Sequence, residues 1–437
     1  MRCRFVHFGD VHLGTQQYDC PERLIDFGRA WMHACRYVAE TRPDFAICAG
    51  DLFNRFSINP ITFDQAYAGL SLIREAGVPI VDIEGNHDRA RYGEARSWID
   101  SLADQGLLTH LDLEISAEGV RLVPVRPGRF SGSMVEWSGC RIIGARFLGA
   151  STERVLRELQ RSLAELPKDG AFTILVLHAG ITGVVPRVNA ELTTQAIEPL
   201  REWVDYLALG HLHKHYAQGN FAYNGGSLET WALNEWGWER GILEVQIDTS
   251  QPQPVSYRLI DVPRRPFVIL RIDTGSFDHP RALLRHCWER LELARDSLDD
   301  ERPVVFVVLE GRLRFDQRDL RIDDLERACR EVMDPLVAIV REEYDLRDFP
   351  TEGDFGGDTP VDRTTLEKAV IQARLAQDER YAPRAAQLAA LAIELKERAL
   401  QGASGTDLLQ TFRTTLDRLD VPLPALTGVD DLSEGNR

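Results

Sequence analysis

The chain has 437 residues, 44% of them hydrophobic and 27% charged, which provides for two or three domains with substantial cores. Its formal net charge is −17, and neither half is basic: residues 1–250 carry 24 basic and 32 acidic side chains, residues 251–437 carry 27 and 36. Such a balance excludes sequence-independent binding of nucleic acid through a uniformly basic surface, so a nucleic-acid role has to rest on a local patch, a bound metal or a partner.

The chain enters a strand-like run at once, leaving no room for a secretory leader. It also lacks an apolar stretch of the roughly 18 residues a membrane span needs. Seven scattered cysteines without a C-x-x-C pair point to reduced thiols and a cytoplasmic protein. Through residues 1–250, short apolar runs recur, each closed by Gly, Asp, Asn or His: "CRFVHFGD", "DFAICAGD", "PIVDIEGNHD", "FTILVLHAG", "YLALGHLH" and "GILEVQID". Between the early ones, apolar residues at intervals of three or four predict helices over 22–40 and 63–76. Strands alternating with helices predict a layered α/β domain with strands buried on both faces. The two helices are also candidates for a symmetric dimer face.

Proline punctuates 249–266, which reads as a boundary. The pattern then restarts with a strand "FVILRID", a helix over 279–296, a strand "PVVFVVLEG", a helix over 323–333 and "PLVAIVREE", a small α+β domain over 264–346. The acidic, Gly- and Pro-rich segment 347–362 reads as a flexible linker. Two helices broken near Pro383, a shorter amphipathic stretch "DLLQTFRTTLDRL" and a polar tail fill 363–437.

The apolar runs end at Asp10 and His12, Asp51, Asn86 and His87, His178, and His211 and His213. Loops beyond the carboxyl ends of strands are where functional groups converge in layered α/β proteins. A D-x-H pair alone is an ordinary turn; two carboxylates, an amide oxygen and five imidazoles at five strand ends form a metal site. Oxygen and imidazole ligands without thiolate suit Mn, Fe or Zn, and disfavour calcium. So many ligands can hold two ions, an arrangement suited to phosphoester hydrolysis. Arg89 and Arg91 follow "GNHD" and could receive a phosphate, as could Lys214 after the last histidine. His215 is expected outside the ligand set.

The ordered set D-x-H, G-D, G-N-H-D, H and G-H-x-H resembles the calcineurin-like metallophosphoesterases over roughly residues 5–215. That resemblance implies a layered α-β-β-α sandwich. It also implies one ion on Asp10, His12 and His213, another on Asn86, His178 and His211, and Asp51 between them. His87 would then stabilise the transition state or protonate the leaving oxygen. The text between motifs ("DVHLGTQQYDCPERLIDF", "AGDLFN", "GNHDR", "LGHLHKHY", "YNGGSLETWALNE") resembles the SbcD-type nucleases and their archaeal counterparts in the meiotic-recombination-eleven family.

The resemblance implies a manganese-dependent exonuclease and endonuclease acting on DNA ends in repair, a homodimer, with a capping domain over 264–346. The helices of 363–437 would dock on an SMC-like ABC ATPase of the SbcC type. Asn54 departs from relatives that carry histidine there, and an amide cannot act as acid or base. Two other readings stay open: a phosphoesterase for small phosphodiesters or phosphoproteins, and a non-catalytic scaffold for DNA ends or the ATPase.

Overall fold

A computed structural model describes residues 1–90, 96–167, 169–186, 188, 190–296, 298, 301–345, 363–376 and 381–419. The expected linker 347–362, the tail beyond 419 and Arg91 lie outside the described residues. Contact clustering divides the chain into two compact units, the first made of Met1–Val268, Ala294–Val305 and Met333–Ala338.

The first unit is built on two sheets. One has the strand order Val255–Ile260, Ile242–Asp248, Arg2–Phe8, Phe45–Cys48, Ile80–Asp82, Thr109–Leu111 and Ser131–Gly132, the last five running parallel. The other runs Tyr216–Gln218, Ala222–Asn224, Tyr206–Leu209, Phe172–Leu177, Cys140–Ala145 and Met134–Trp137, with its central four parallel. Phe5, Phe45, Ile47 and Val81 of the first sheet meet Ile142, Ile174, Val176 and Tyr206 of the second in one apolar layer. Alternate residues on the same strands face outward: Val6, Phe8 and Ala46 pack with the helices Pro21–Thr41 and Pro60–Glu75, while Ile143, Leu175 and Leu207 pack with Thr152–Ala164. Burial on both faces explains why these strands read as continuous apolar runs, and the layers are those of an α-β-β-α sandwich.

The helices of the first unit follow their sequence signals closely. Pro21–Thr41 covers the expected 22–40, with Pro21 at its first turn and a left-handed Arg42 (φ 46°) closing it. Pro60–Glu75 starts three residues ahead of the expected 63, because the Asn59 side chain caps the Thr62 amide and Pro60 fits the first turn. Gly69 lets the two helices approach: a Cβ there would lie 2.2 Å from Trp31 Nε1 and 2.6 Å from Cys35 Sγ.

Three elements differ from the sequence reading. The segment 249–266 contains the strand Val255–Ile260, paired antiparallel with Ile242–Asp248, so its prolines flank an edge strand. Cys140–Ala145, fully buried in the second sheet, is followed by Arg146 and not by the Asp, Asn or His that closes the other runs. The helix Thr152–Ala164 presents Val155, Leu156, Leu159 and Leu163 as one buried stripe, a period legible in the sequence.

The second unit comprises Ile269–Leu293, Phe306–Val332 and Ile339–Arg437. Its strands belong to a three-stranded sheet ordered Phe267–Asp273, Val304–Arg312, Val337–Asp345, and its helices include Pro280–Arg295 and Ile322–Met333. Further along, Arg363–Ala376, Ala385–Leu400 and Gly405–Leu419 form a helical cluster in which Leu388, Leu391 and Leu416 are buried against Leu375, Leu395 and Phe412. None of the helices among the described residues is long and apolar enough to cross a membrane.

One buried carboxylate makes the first unit sensitive to pH. Asp82 lies in register between Cys48 and His110 and is 1% exposed. Neither of its oxygens has a full hydrogen bond, the Cys48 thiol offering weak relief. Burial pushes its pKa up to about 7. Because the folded value exceeds the unfolded one, the stability contributed by the neutral form is present at low pH and lost as pH rises toward 7. Between pH 5 and pH 8 that loss is about 2–3 kcal/mol. Asp82→Asn is expected to remove most of this pH dependence in urea unfolding; an unchanged dependence would refute the assignment.

Candidate metal centre

Five loops leaving parallel strands converge on one edge of the sandwich. Arg2–Phe8 leads to Asp10 and His12, Phe45–Cys48 to Asp51, Ile80–Asp82 to Asn86, His87 and Asp88, Phe172–Leu177 to His178, and Tyr206–Leu209 to His211 and His213. The first two loops are stitched by backbone hydrogen bonds, Asp10 N–H to Gly50 O at 3.0 Å and His12 N–H to Asp51 O at 2.9 Å. Asp10, His12, Asp51 and His211 all have left-handed backbone, with φ of 52°, 52°, 55° and 80°. Such conformations are uncommon outside glycine and cost of order 1–3 kcal/mol each, so the fold sustains strain to aim these four side chains.

Asp88 fixes the third loop to the second. One carboxylate oxygen accepts from Gly85 N–H and the other from Leu52 N–H, each at 2.7 Å. Gly85 has a steric reason as well: a Cβ there would lie 2.0 Å from Asp51 Oδ1. The "GNHD" tetrad is therefore a glycine that leaves room, two side chains presented to the centre and a carboxylate that ties the turn.

The side chains meet at ligand distances from one another. Asp51 Oδ2 lies 3.1 Å from His178 Nε2 and 3.7 Å from His12 Nε2. Asn86 Oδ1 is 3.2 Å from His178 Nε2 and 3.0 Å from His211 Nδ1. On the other side, His12 Nε2 and His213 Nε2 stand 3.0 Å apart, with Asp10 Oδ1 3.9 Å from His213 Nε2. Asp10 also receives the His211 backbone N–H on both oxygens, at 2.9 and 3.0 Å. Among the described residues, three sets have the spacing of a metal site: Asp10, His12 and His213; His12, Asp51 and His87; and Asp10, Asp51 and His178.

Hydrogen bonds behind the rings decide which nitrogen faces inward. His178 Nδ1–H donates to Ala49 O at 2.8 Å, and His213 Nδ1–H to Glu235 Oε1 at 2.9 Å, leaving each Nε2 for the centre. His211 is reversed: its Nε2 lies 3.1 Å from Glu191 Oε1, so Nδ1 points inward. Burial holds the His12 imidazole well below its usual pKa, hence neutral. Burial also works against a charge on His178, yet the Asp51 and Asp10 carboxylates outweigh it and raise that ring to about 10. The residues fit divalent cations on two grounds. Buried nitrogens of His12 and His213 facing each other at 3.0 Å need a cation or proton between them, and the donors are hard oxygens and imidazoles. Cation binding would displace the His178 proton.

His87 stands beside this set. Its backbone N–H donates to Asp51 Oδ1 at 2.9 Å, and its Nδ1–H to Asn54 O at 2.8 Å, which leaves Nε2 outward. Asn54, the departure noted in the sequence, thus works through its backbone carbonyl, while its side-chain oxygen accepts the Trp231 indole N–H at 3.0 Å.

The phosphate-receiving candidates are placed less tightly. Exposed Arg89 lies with its guanidinium 5.7 Å from the Phe147 ring centroid, and that ring packs on His178 and His211. Lys214 is half-buried next to His213 in the chain. His215 turns away, its Nδ1 bonded to Asn224 O at 2.8 Å. Glu191, Glu235, Trp231, Phe147 and Asp88 were not singled out from sequence. Asp88 lies in "GNHD", and Trp231 and Glu235 lie in "YNGGSLETWALNE", both motif segments, while Glu191 and Phe147 have no sequence signal.

The calcineurin-like phosphoesterase family matches residues 3–215. The chain is 31% identical over 240 residues to the DNA double-strand break repair protein Mre11 of Archaeoglobus fulgidus, covering 53% of this chain and 51% of that one. It is 25% identical over 326 residues to the protein of the same name from Aeropyrum pernix, covering 70% and 73%. The alignment spans roughly half the length of the first of these relatives. Family match and metal-site geometry fall on the same residues: the stretch 3–215 that is similar to the calcineurin-like phosphoesterases contains every side chain of the candidate metal centre.

Proposed function

We propose that the chain is a two-metal nuclease that hydrolyses phosphodiester bonds at DNA ends during double-strand-break repair. The observation that carries this is the convergence of Asp10, His12, Asp51, Asn86, His178, His211 and His213 on one edge, with His87 beside them. The likeness to archaeal Mre11 proteins directs the reading toward DNA. Asp10, His12 and His213 would hold one ion and Asn86, His178 and His211 the other, with Asp51 able to serve both. Manganese suits this mixed oxygen and imidazole set. When bound, such cations would lower the pKa of a water and offset the charge of the phosphate. His87 presents Nε2 to the leaving oxygen and donates a proton to it. Arg89 and Lys214 contact the flanking phosphates. Seven unpaired cysteines suit a reducing compartment such as the cytoplasm.

The partners belong to the same proposal. The helical segment 363–419 docks on an SMC-like ABC ATPase of the SbcC type, and residues 264–346 act as a capping domain that helps admit DNA. Two copies pair through the helices Pro21–Thr41 and Pro60–Glu75, where Ile25, Ile61 and Tyr67 are exposed apolar side chains.

Purified protein with Mn2+ is expected to shorten an end-labelled linear duplex, alone or with an SbcC-type ATPase. Chelation should abolish the activity and Mn2+ restore it. Rapid hydrolysis of bis(4-nitrophenyl) phosphate without DNA cleavage in either condition would overturn the nuclease reading in favour of a small-diester phosphoesterase. Removing residues 363–437 should abolish co-purification of the ATPase and spare single-strand cleavage; undiminished co-purification would defeat the docking role.

A further inference from the structure

Trp231 touches both His87 and the His12–His213 side of the centre. Its indole lies over three histidines, with ring centroids 5.7 Å from His12, 5.9 Å from His87 and 5.5 Å from His213. Its N–H donates to Asn54 Oδ1 at 3.0 Å, and the carbonyl of that same asparagine holds His87 Nδ1–H at 2.8 Å. Its backbone is tied as firmly. The Trp231 N–H donates to Glu235 Oε2 at 3.3 Å, while Oε1 of that carboxylate receives His213 Nδ1–H at 2.9 Å. Gln17 donates its amide to the Trp231 carbonyl, and buried Arg240 braces Glu235 at 3.4 Å.

We propose that Trp231 is a positioning residue that fixes Asn54, and through the Asn54 carbonyl the orientation of His87, relative to the His12–His213 side of the centre. The inference rests on the nuclease reading and deepens it by naming what aims the acid. In the step concerned, water oxygen bonds to phosphorus and the bond from phosphorus to the leaving oxygen breaks. The electron pair of that bond goes to the leaving oxygen, which takes the proton on His87 Nε2. The proton released by water returns His87 to its starting state. Because Nδ1–H is anchored on Asn54, a small shift of that loop turns Nε2 off the leaving oxygen. Misplacement of this order costs about 10-fold or more in rate without disturbing the cations.

The test compares two oligonucleotides of one sequence, one native and one with the leaving bridging oxygen replaced by sulfur, whose thiolate departs without a proton. Trp231→Phe keeps the ring and deletes the N–H; Asn54→Leu deletes the acceptor. Each variant is expected to retain bound Mn2+ by elemental analysis and to cleave the native oligonucleotide about 10-fold more slowly. Each should cleave the sulfur analogue within about 2-fold of the parent, and the double variant should be no slower than the slower single one, because both break one link. Equal losses on both oligonucleotides, additive losses in the double variant, loss of Mn2+ from Trp231→Phe, or no loss at all would overturn the inference. A parent protein inert on both oligonucleotides but active on bis(4-nitrophenyl) phosphate would instead overturn the nuclease reading, and the inference with it.

Discussion

His87→Ala is expected to lower kcat for DNA hydrolysis by about 10²–10⁴-fold while leaving the bound metal unchanged. The size follows from what the side chain does. An alkoxide is a poor leaving group, and a proton delivered as the bond breaks removes most of that penalty. Metal retention follows from how the ring is held: His87 Nδ1–H is bonded to Asn54 O, and the hydrogen bond that orients Asp51 comes from the His87 backbone N–H. That backbone donor survives truncation to alanine, so Asp51 keeps its orientation. Single-turnover cleavage together with elemental analysis reads both quantities. Unchanged kcat, or loss of metal in step with activity, would remove His87 from the acid's role.

Asp51→Asn is expected to weaken metal binding by at least about 100-fold and to abolish cleavage at ordinary Mn2+ concentrations. Asp51 is almost completely buried, and its carboxylate faces His178 at 3.1 Å and His12 at 3.7 Å. An amide has similar shape but no charge, so two cations brought together there would lose the anion between them. The variant should still fold. Without cations Asp51 is paired with a protonated His178, and once that charge is gone the ring can release its proton. Equilibrium dialysis against Mn2+ checks the prediction, and a parental affinity and stoichiometry would refute it.

The strand ends were the most legible part of the chain. Each run stops where buried apolar residues give way to groups that bind, so Asp10, Asp51, Asn86, His178 and His211 stand out by contrast with what precedes them. Cys140–Ala145 and Thr152–Ala164 carried no such contrast. The first carries Arg141 inside it and runs on into Arg146 with no Asp, Asn or His at its end, and the second is an amphipathic stripe unconnected to any motif. The edge strand Val255–Ile260 was hidden by flanking prolines, which serve equally at a sheet edge and at a domain boundary.

By itself the sequence determined the identity of the inward-facing groups, their order and the layered α/β architecture, because all of these follow from local periodicity and from the residue types that close each strand. Tertiary structure decided which nitrogen each histidine presents and what Asn54 does. Those answers depend on partners remote in the chain: Glu235 for His213, Glu191 for His211, Ala49 for His178 and Trp231 for Asn54. A histidine's tautomer is set by whichever acceptor the fold brings to its far side, and no local pattern carries that information.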